Sequence, residues 1–66
     1  MANNTFWCVI QRYTDRGTVS VKGPVSVYAE KQPLNTMQQY KSCDEYRDYF
    51  EDFKKAAAFA NESRRA

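Results

Sequence analysis

Sixty-six residues make one domain at most, spanning 1–66, because independent domains usually run to ~100–150 residues. A chain this short hides only about 60% of the surface its unfolded form exposes. That argues against a thick core and against a deep catalytic cleft of the usual size, on the order of several hundred Å3. Ten aromatic residues argue against disorder, and a net charge of +2 is too small to demand a nucleic-acid or membrane partner.

Residues 1–4 form a short polar leader. Thr5–Tyr13 follows as a strand, because Phe6, Trp7, Cys8, Val9 and Ile10 make an unbroken β-favouring run. Thr14-Asp15-Arg16-Gly17 has turn chemistry: aspartate bonds its own backbone, and glycine takes positive φ without strain. Residues 18–29 show the clearest period in the chain. Val19, Val21, Val25, Val27 and Ala29 alternate with Thr18, Ser20, Lys22, Ser26 and Glu30, the signature of a half-buried antiparallel strand. Gly23-Pro24 interrupts this row in phase and predicts a bulge, a bend or an edge. Two hairpin registers are open. A three-residue loop over Asp15-Arg16-Gly17 places Trp7, Val9 and Tyr13 on the valine face; a four-residue loop places Phe6, Cys8 and Ile10 there. A type I turn with a G1 bulge favours the first.

Lys31–Lys41 carries Pro33, Asn35 and three glutamines without periodicity, and is expected to be a loop. Beyond it the pattern admits one helix over 43–64, or a strand near 44–50 followed by a helix near 52–64. Tyr46, Phe50, Phe53, Ala57 and Ala60 fit the first. The second has Asp52 capping a helix over Phe53–Arg64, with acids before its start and arginines at its end. The expected fold is α+β: a small antiparallel sheet, a hairpin plus a third strand, packed by one C-terminal helix. Its core is Trp7, Val9, Val19, Val21, Val25, Val27, Phe50, Phe53, Ala56, Phe59 and Ala60.

Charge is laid out in blocks: net +3 over residues 1–41, −4 over 42–52 and +3 over 53–66. Internal ion pairing on a solvated surface is the first explanation for such blocks. Cys8 and Cys43 are the only cysteines. With no apolar run fit for a signal segment or membrane span, both are expected as free thiols in a cytoplasmic protein without membrane contact.

The chain has no histidine, so acid–base chemistry would fall to carboxylates, tyrosine or lysine. Asp44 with Asp48, or Asp48 with Asp52, would share a helix face in the one-helix arrangement. Five acids within nine residues are more simply solvated charge. Glycines stand only at 17 and 23, which excludes a phosphate-binding glycine loop. No catalytic residue, metal ligand or cofactor is therefore expected, and the chain is taken not to be an enzyme.

The stretch Asp44-Glu45-Tyr46-Arg47-Asp48-Tyr49-Phe50-Glu51-Asp52-Phe53-Lys54-Lys55-Ala56, with the Asp-Arg-Gly front hairpin, resembles small phage- and prophage-encoded accessory proteins of gut bacteria. Those have an aromatic strand ending in Tyr/Trp-Phe-Asp that leads into a helix with Ala and then Phe. Glu45 and Arg47 depart from the valines usual there. The resemblance implies a ββ-β-α order and an origin in a mobile element; those proteins are mostly of unassigned function, and a role blocking a host factor such as a defence nuclease follows only by analogy with that origin.

More aromatics are present than a thin core can bury, and exposed tyrosines with mixed charge favour a protein interface. The expected function is a non-enzymatic protein-binding accessory domain acting on a host protein. Its candidate binding residues are Arg16, Lys22, Tyr28, Asp44, Glu45, Tyr46, Asp48 and Tyr49. Two alternatives are a small nucleic-acid-binding domain using Arg12, Arg16 and Lys22 of the basic hairpin, which the charge balance makes less favoured, and a homodimeric module built on unpaired sheet edges.

Overall fold

The structure is a computed structural model that describes residues 4–65; the polar leader lies outside these apart from Asn4. Five elements follow in order: β1 (Asn4–Thr14), β2 (Val19–Ala29), β3 (Thr36–Gln39), β4 (Cys43–Phe50) and α1 (Phe53–Arg65). The strands form one antiparallel sheet in the order β2-β1-β4-β3, with α1 on one face. The α+β architecture is the expected one. Residues 43–50 are strand, so the single-helix alternative is excluded.

The hairpin takes the three-residue loop. Thr14 N donates to Thr18 O at 3.0 Å, and Gly17 N donates to Thr14 O at 3.0 Å while Gly17 adopts φ +85°. This is a type I turn closed by a glycine in the left-handed region. Tyr13↔Val19 and Gln11↔Val21 then share the helix side with Val9 and Trp7.

The valine row does not stay on that side. Between the pairs Ile10↔Lys22 and Cys8↔Val25, β1 contributes one residue and β2 two, Gly23 and Pro24. The extra residue inverts the alternation. Val25 and Val27 therefore lie opposite Cys8 and Phe6 on the far face, and Ser26 and Tyr28 turn to the helix side. The expectation of one continuous apolar row is corrected by this bulge. Gly23 is what makes it attainable: its φ is +109°, and a Cβ there would sit 2.5 Å from the Cys8 carbonyl oxygen.

The core is consequently smaller than expected. Val9, Ala56 and Ala60 are fully buried, packed by Trp7, Val21, Phe50 and Phe59. Val19, Val25 and Phe53 are exposed, although the Phe53 ring still meets Trp7 edge-on at 4.9 Å. Phe6 and Cys8, not expected in the core, are buried on the face away from the helix.

Helix α1 starts where the sequence indicates. Asp52 caps it, with its Oδ1 accepting from Lys54 N at 3.1 Å and its carbonyl from Ala56 N at 3.1 Å. The helix lies over β2 and β1 more than over β4.

The segment expected as a loop contains the edge strand β3. Residues 30–35 carry the chain from the β2 edge to the β3 edge, past β1 and β4. Gln32 Nε2 donates to the Tyr49 carbonyl at 2.9 Å, and Tyr49 N donates to Asn35 Oδ1 at 2.8 Å. These side-chain amides continue the work of β3 beyond its first residue.

Candidate functional site

Strand alternation sorts the candidate residues into separate places. On β4, Asp44, Tyr46, Asp48 and Phe50 face the helix side, being paired with Tyr13, Gln11, Val9 and Trp7. Glu45, Arg47 and Tyr49 face away, opposite Arg12, Ile10 and Cys8. Arg16 stands at the exposed hairpin tip, and Lys22 on β2 points to the far face opposite Ile10. Tyr28 pairs with Thr5, eight positions along β1 from Tyr13, or about 27 Å at the strand rise. The eight residues named from the sequence do not form one surface.

The acidic block in particular is divided. Glu45 is only 3% exposed, and its Oε1 lies 3.5 Å from both Arg12 Nη2 and Arg47 Nη2. Burial opposes its charge, but a hydrogen bond from the Tyr40 hydroxyl and the two guanidinium groups outweigh that and hold its carboxyl below the usual glutamate range. The same bond raises the Tyr40 hydroxyl, and Glu45 raises Arg47 in turn. Glu45 is committed within the fold, which corrects its assignment as a free binding residue.

Asp44 and Asp48 flank a different arrangement. Gln11, nearly buried on β1, donates from Nε2 to Ser63 Oγ of the helix at 2.6 Å and accepts from the Tyr13 hydroxyl at 2.7 Å. The Tyr13 ring meets Tyr46 edge-on, with centroids 5.5 Å apart. Gln11, Tyr13 and Tyr46 line an open recess of about 210 Å3 on the part of the sheet that the helix leaves uncovered. Met37, cross-strand from Tyr46, extends the row to the sheet edge and is exposed. Burial pushes the Asp48 carboxyl above the ordinary aspartate range.

Gln11, Tyr13 and Met37 are not among the residues that the sequence marks for binding. Tyr13 reads as part of the valine face, and Gln11 is a polar residue on an apolar row, a break that is its signal in the sequence.

Cys8 and Cys43 are both free. Their partners in the register are Tyr49 and Thr14, which separates them by about 20 Å along β4, far beyond disulfide reach. Burial raises the Cys8 thiol despite the hydrogen bond to Tyr49, so it is a poor nucleophile. Among the described residues no three His, Cys, Asp or Glu side chains are grouped to hold a metal ion. No helix among them is long and apolar enough to cross a membrane.

No protein family, curated protein or solved structure matches the chain.

Proposed function

We propose that this chain is a non-enzymatic, cytoplasmic protein-binding domain that docks a partner on the Gln11–Tyr13–Tyr46 recess. The supporting observation is the fixation of its aromatics before any partner arrives. Tyr13 is partly exposed, yet its hydroxyl is bonded to Gln11 and its ring braced by Tyr46. A rigid exposed tyrosine pair offers large contact area with little ordering left to lose. Asp44 and Asp48 beside it suit a partner with a basic rim around an apolar anchor. By analogy with phage and prophage accessory proteins, the partner in this proposal is a host protein and the outcome blockade of a defence factor.

A second reading, nucleic-acid binding, has one observation in its favour. Alternation places Arg12, Lys22 and Arg47 on the far face with Tyr49. Both arginines are already engaged with Glu45, which reduces what they offer a phosphate.

Affinity capture from host cytoplasm, followed by mass spectrometry, decides between them. The wild type is expected to retain one stoichiometric protein, lost on Tyr46→Ser and weakened by Asp44→Lys, while Arg12→Ala leaves it bound. Retention of nuclease-sensitive material that Arg12→Ala and Lys22→Ala release, with Tyr46→Ser harmless, overturns the protein-binding reading.

A further inference from the structure

The two edges of the sheet are built differently. The β2 edge is broken at its middle: Gly23 and Pro24 form the bulge, Pro24 has no N–H, and the Gly23 carbonyl is occupied by Arg64 Nη2 at 3.1 Å. Lys22 adds a charge beside the break. These are the devices by which natural sheets block edge-to-edge pairing. The β3 edge, Thr36-Met37-Gln38-Gln39, has no charge, proline, glycine or bulge, and all four residues are exposed.

The direction of its free backbone groups follows from one hydrogen bond. Tyr40 N donates to Cys43 O at 2.8 Å, so residue 40 faces β4. In an antiparallel ladder the alternate residues share that orientation. Gln38 and Thr36 therefore bond inward to β4, and the N–H and C=O of Met37 and Gln39 point outward, away from the sheet.

Three exposed apolar side chains surround these groups: Leu34 at 85%, Met37 at 51% and Tyr40 at 49%. Antiparallel self-pairing keeps residues of the same face opposite one another, so the axis can pass through any β3 residue; centred on Thr36 or Gln39, Met37 meets asparagine or lysine, which leaves the two middle registers. With Gln38 against Gln38 of a second copy, Met37 meets glutamine and Leu34 meets serine. With Met37 against Met37, Thr36 meets Gln38, Asn35 meets Gln39, and Leu34 comes alongside Tyr40 of the second copy. Only the second arrangement brings all three exposed apolar residues against apolar partners, and it apposes no like charges. Met37 and its copy then form a hydrogen-bonded pair through their outward groups.

We propose that the β3 edge is a twofold self-association site, pairing with β3 of a second copy at Met37 to form a continuous eight-stranded sheet. The axis stands perpendicular to the sheet, so both helices lie on one side. The rows Gln11–Tyr46–Met37 of the two copies then join across the axis, with the two Tyr46 residues about 14 Å apart at the interstrand spacing. The recesses remain open and become a pair. This inference goes beyond the partner-binding reading and stands without it.

Sedimentation equilibrium of the full chain over a range of concentrations tests it. The expected result is a reversible species of twice the 7.7 kDa chain mass. Met37→Lys sets two like charges at the axis and is expected to abolish the dimer at every concentration, with an unchanged circular dichroism spectrum. Gln39→Pro removes one outward N–H per copy and touches no bond to β4; it is expected to weaken the dimer at least ~10-fold, a change of about 1.4 kcal/mol for one tenfold step in Kd. A wild type that stays monomeric into the millimolar range overturns the proposal. So does a dimer that survives both substitutions. Tyr46→Ser is expected to dimerise normally, which separates this surface from partner capture.

Discussion

The two faces of the sheet are built from the same strands yet held together by different physics. The helix side is a dry cluster of Val9, Ala56 and Ala60 ringed by Trp7, Val21, Phe50 and Phe59. The far side buries Phe6 and Cys8, and its other half is organised by charge, with Glu45 between Arg12 and Arg47. The bulge at Gly23-Pro24 is where the two meet, because it hands Val25 and Val27 from one face to the other. In a domain this small, one inserted residue serves both sides: it leaves enough apolar surface for the helix and supplies a second cover for β1.

The strongest way to break that arrangement is Gly23→Ala. The methyl group would meet the Cys8 carbonyl oxygen at 2.5 Å from a φ of +109°. Strain of this backbone region costs about 1–3 kcal/mol before the clash is counted. A loss on the order of 4 kcal/mol is expected, comparable to the whole stability of a chain this size. Thermal unfolding checks it, and a melting temperature near wild type would mean the bulge relaxes without the glycine. Phe59→Ala should act next, on the helix side alone. Phe59 packs against the core with its ring 5.3 Å from Phe50, but it is partly exposed, so the expected cost is near the low end for such truncations, about 3 kcal/mol. Under Phe59→Ala the amide proton of Cys8 should keep more of its exchange protection than under Gly23→Ala.

Which parts were legible in the sequence follows from which signals are local. The hairpin loop, the Asp52 cap and the β4-to-helix transition each depend on a few adjacent residues, and each formed as expected. The bulge was legible as an interruption, but its phase was not, because period two alone does not say whether one residue or two oppose the partner strand. Strand β3 has no apolar period of its own; Thr36–Gln39 is extended because β4 offers it a ladder and Asn35 and Gln32 anchor the chain beside it. The acidic block misled for a related reason. Once residues 43–50 are a strand, neighbours in sequence occupy opposite faces, so Asp44 and Glu45 belong to different sites. Gln11 became visible only with its partners, Ser63 lying 52 positions away in the chain.

The smallest effect offers the sharpest contrast of the two faces, because a carboxylate on each responds to acid in the opposite sense. Glu45 is held below its ordinary range in the folded chain, so folding gains from its ionisation near neutral pH. That gain is lost as pH falls through the folded value, leaving Arg12 and Arg47 without their shared anion. Asp48 is raised by burial, so its ionised form costs stability at neutral pH, and the cost fades as pH falls through its raised value towards the ordinary aspartate range. Neutral isosteres separate the two. At about pH 7, Glu45→Gln is expected to melt below wild type and Asp48→Asn above it. Both differences should shrink as pH falls, that of Asp48 first and that of Glu45 only below the ordinary glutamate range. Melting curves of the three proteins across that interval test the pair. An Asp48→Asn protein less stable than wild type at neutral pH would show that the Asp48 carboxylate is partnered in solution, and the far face would then hold no monopoly on electrostatic cohesion.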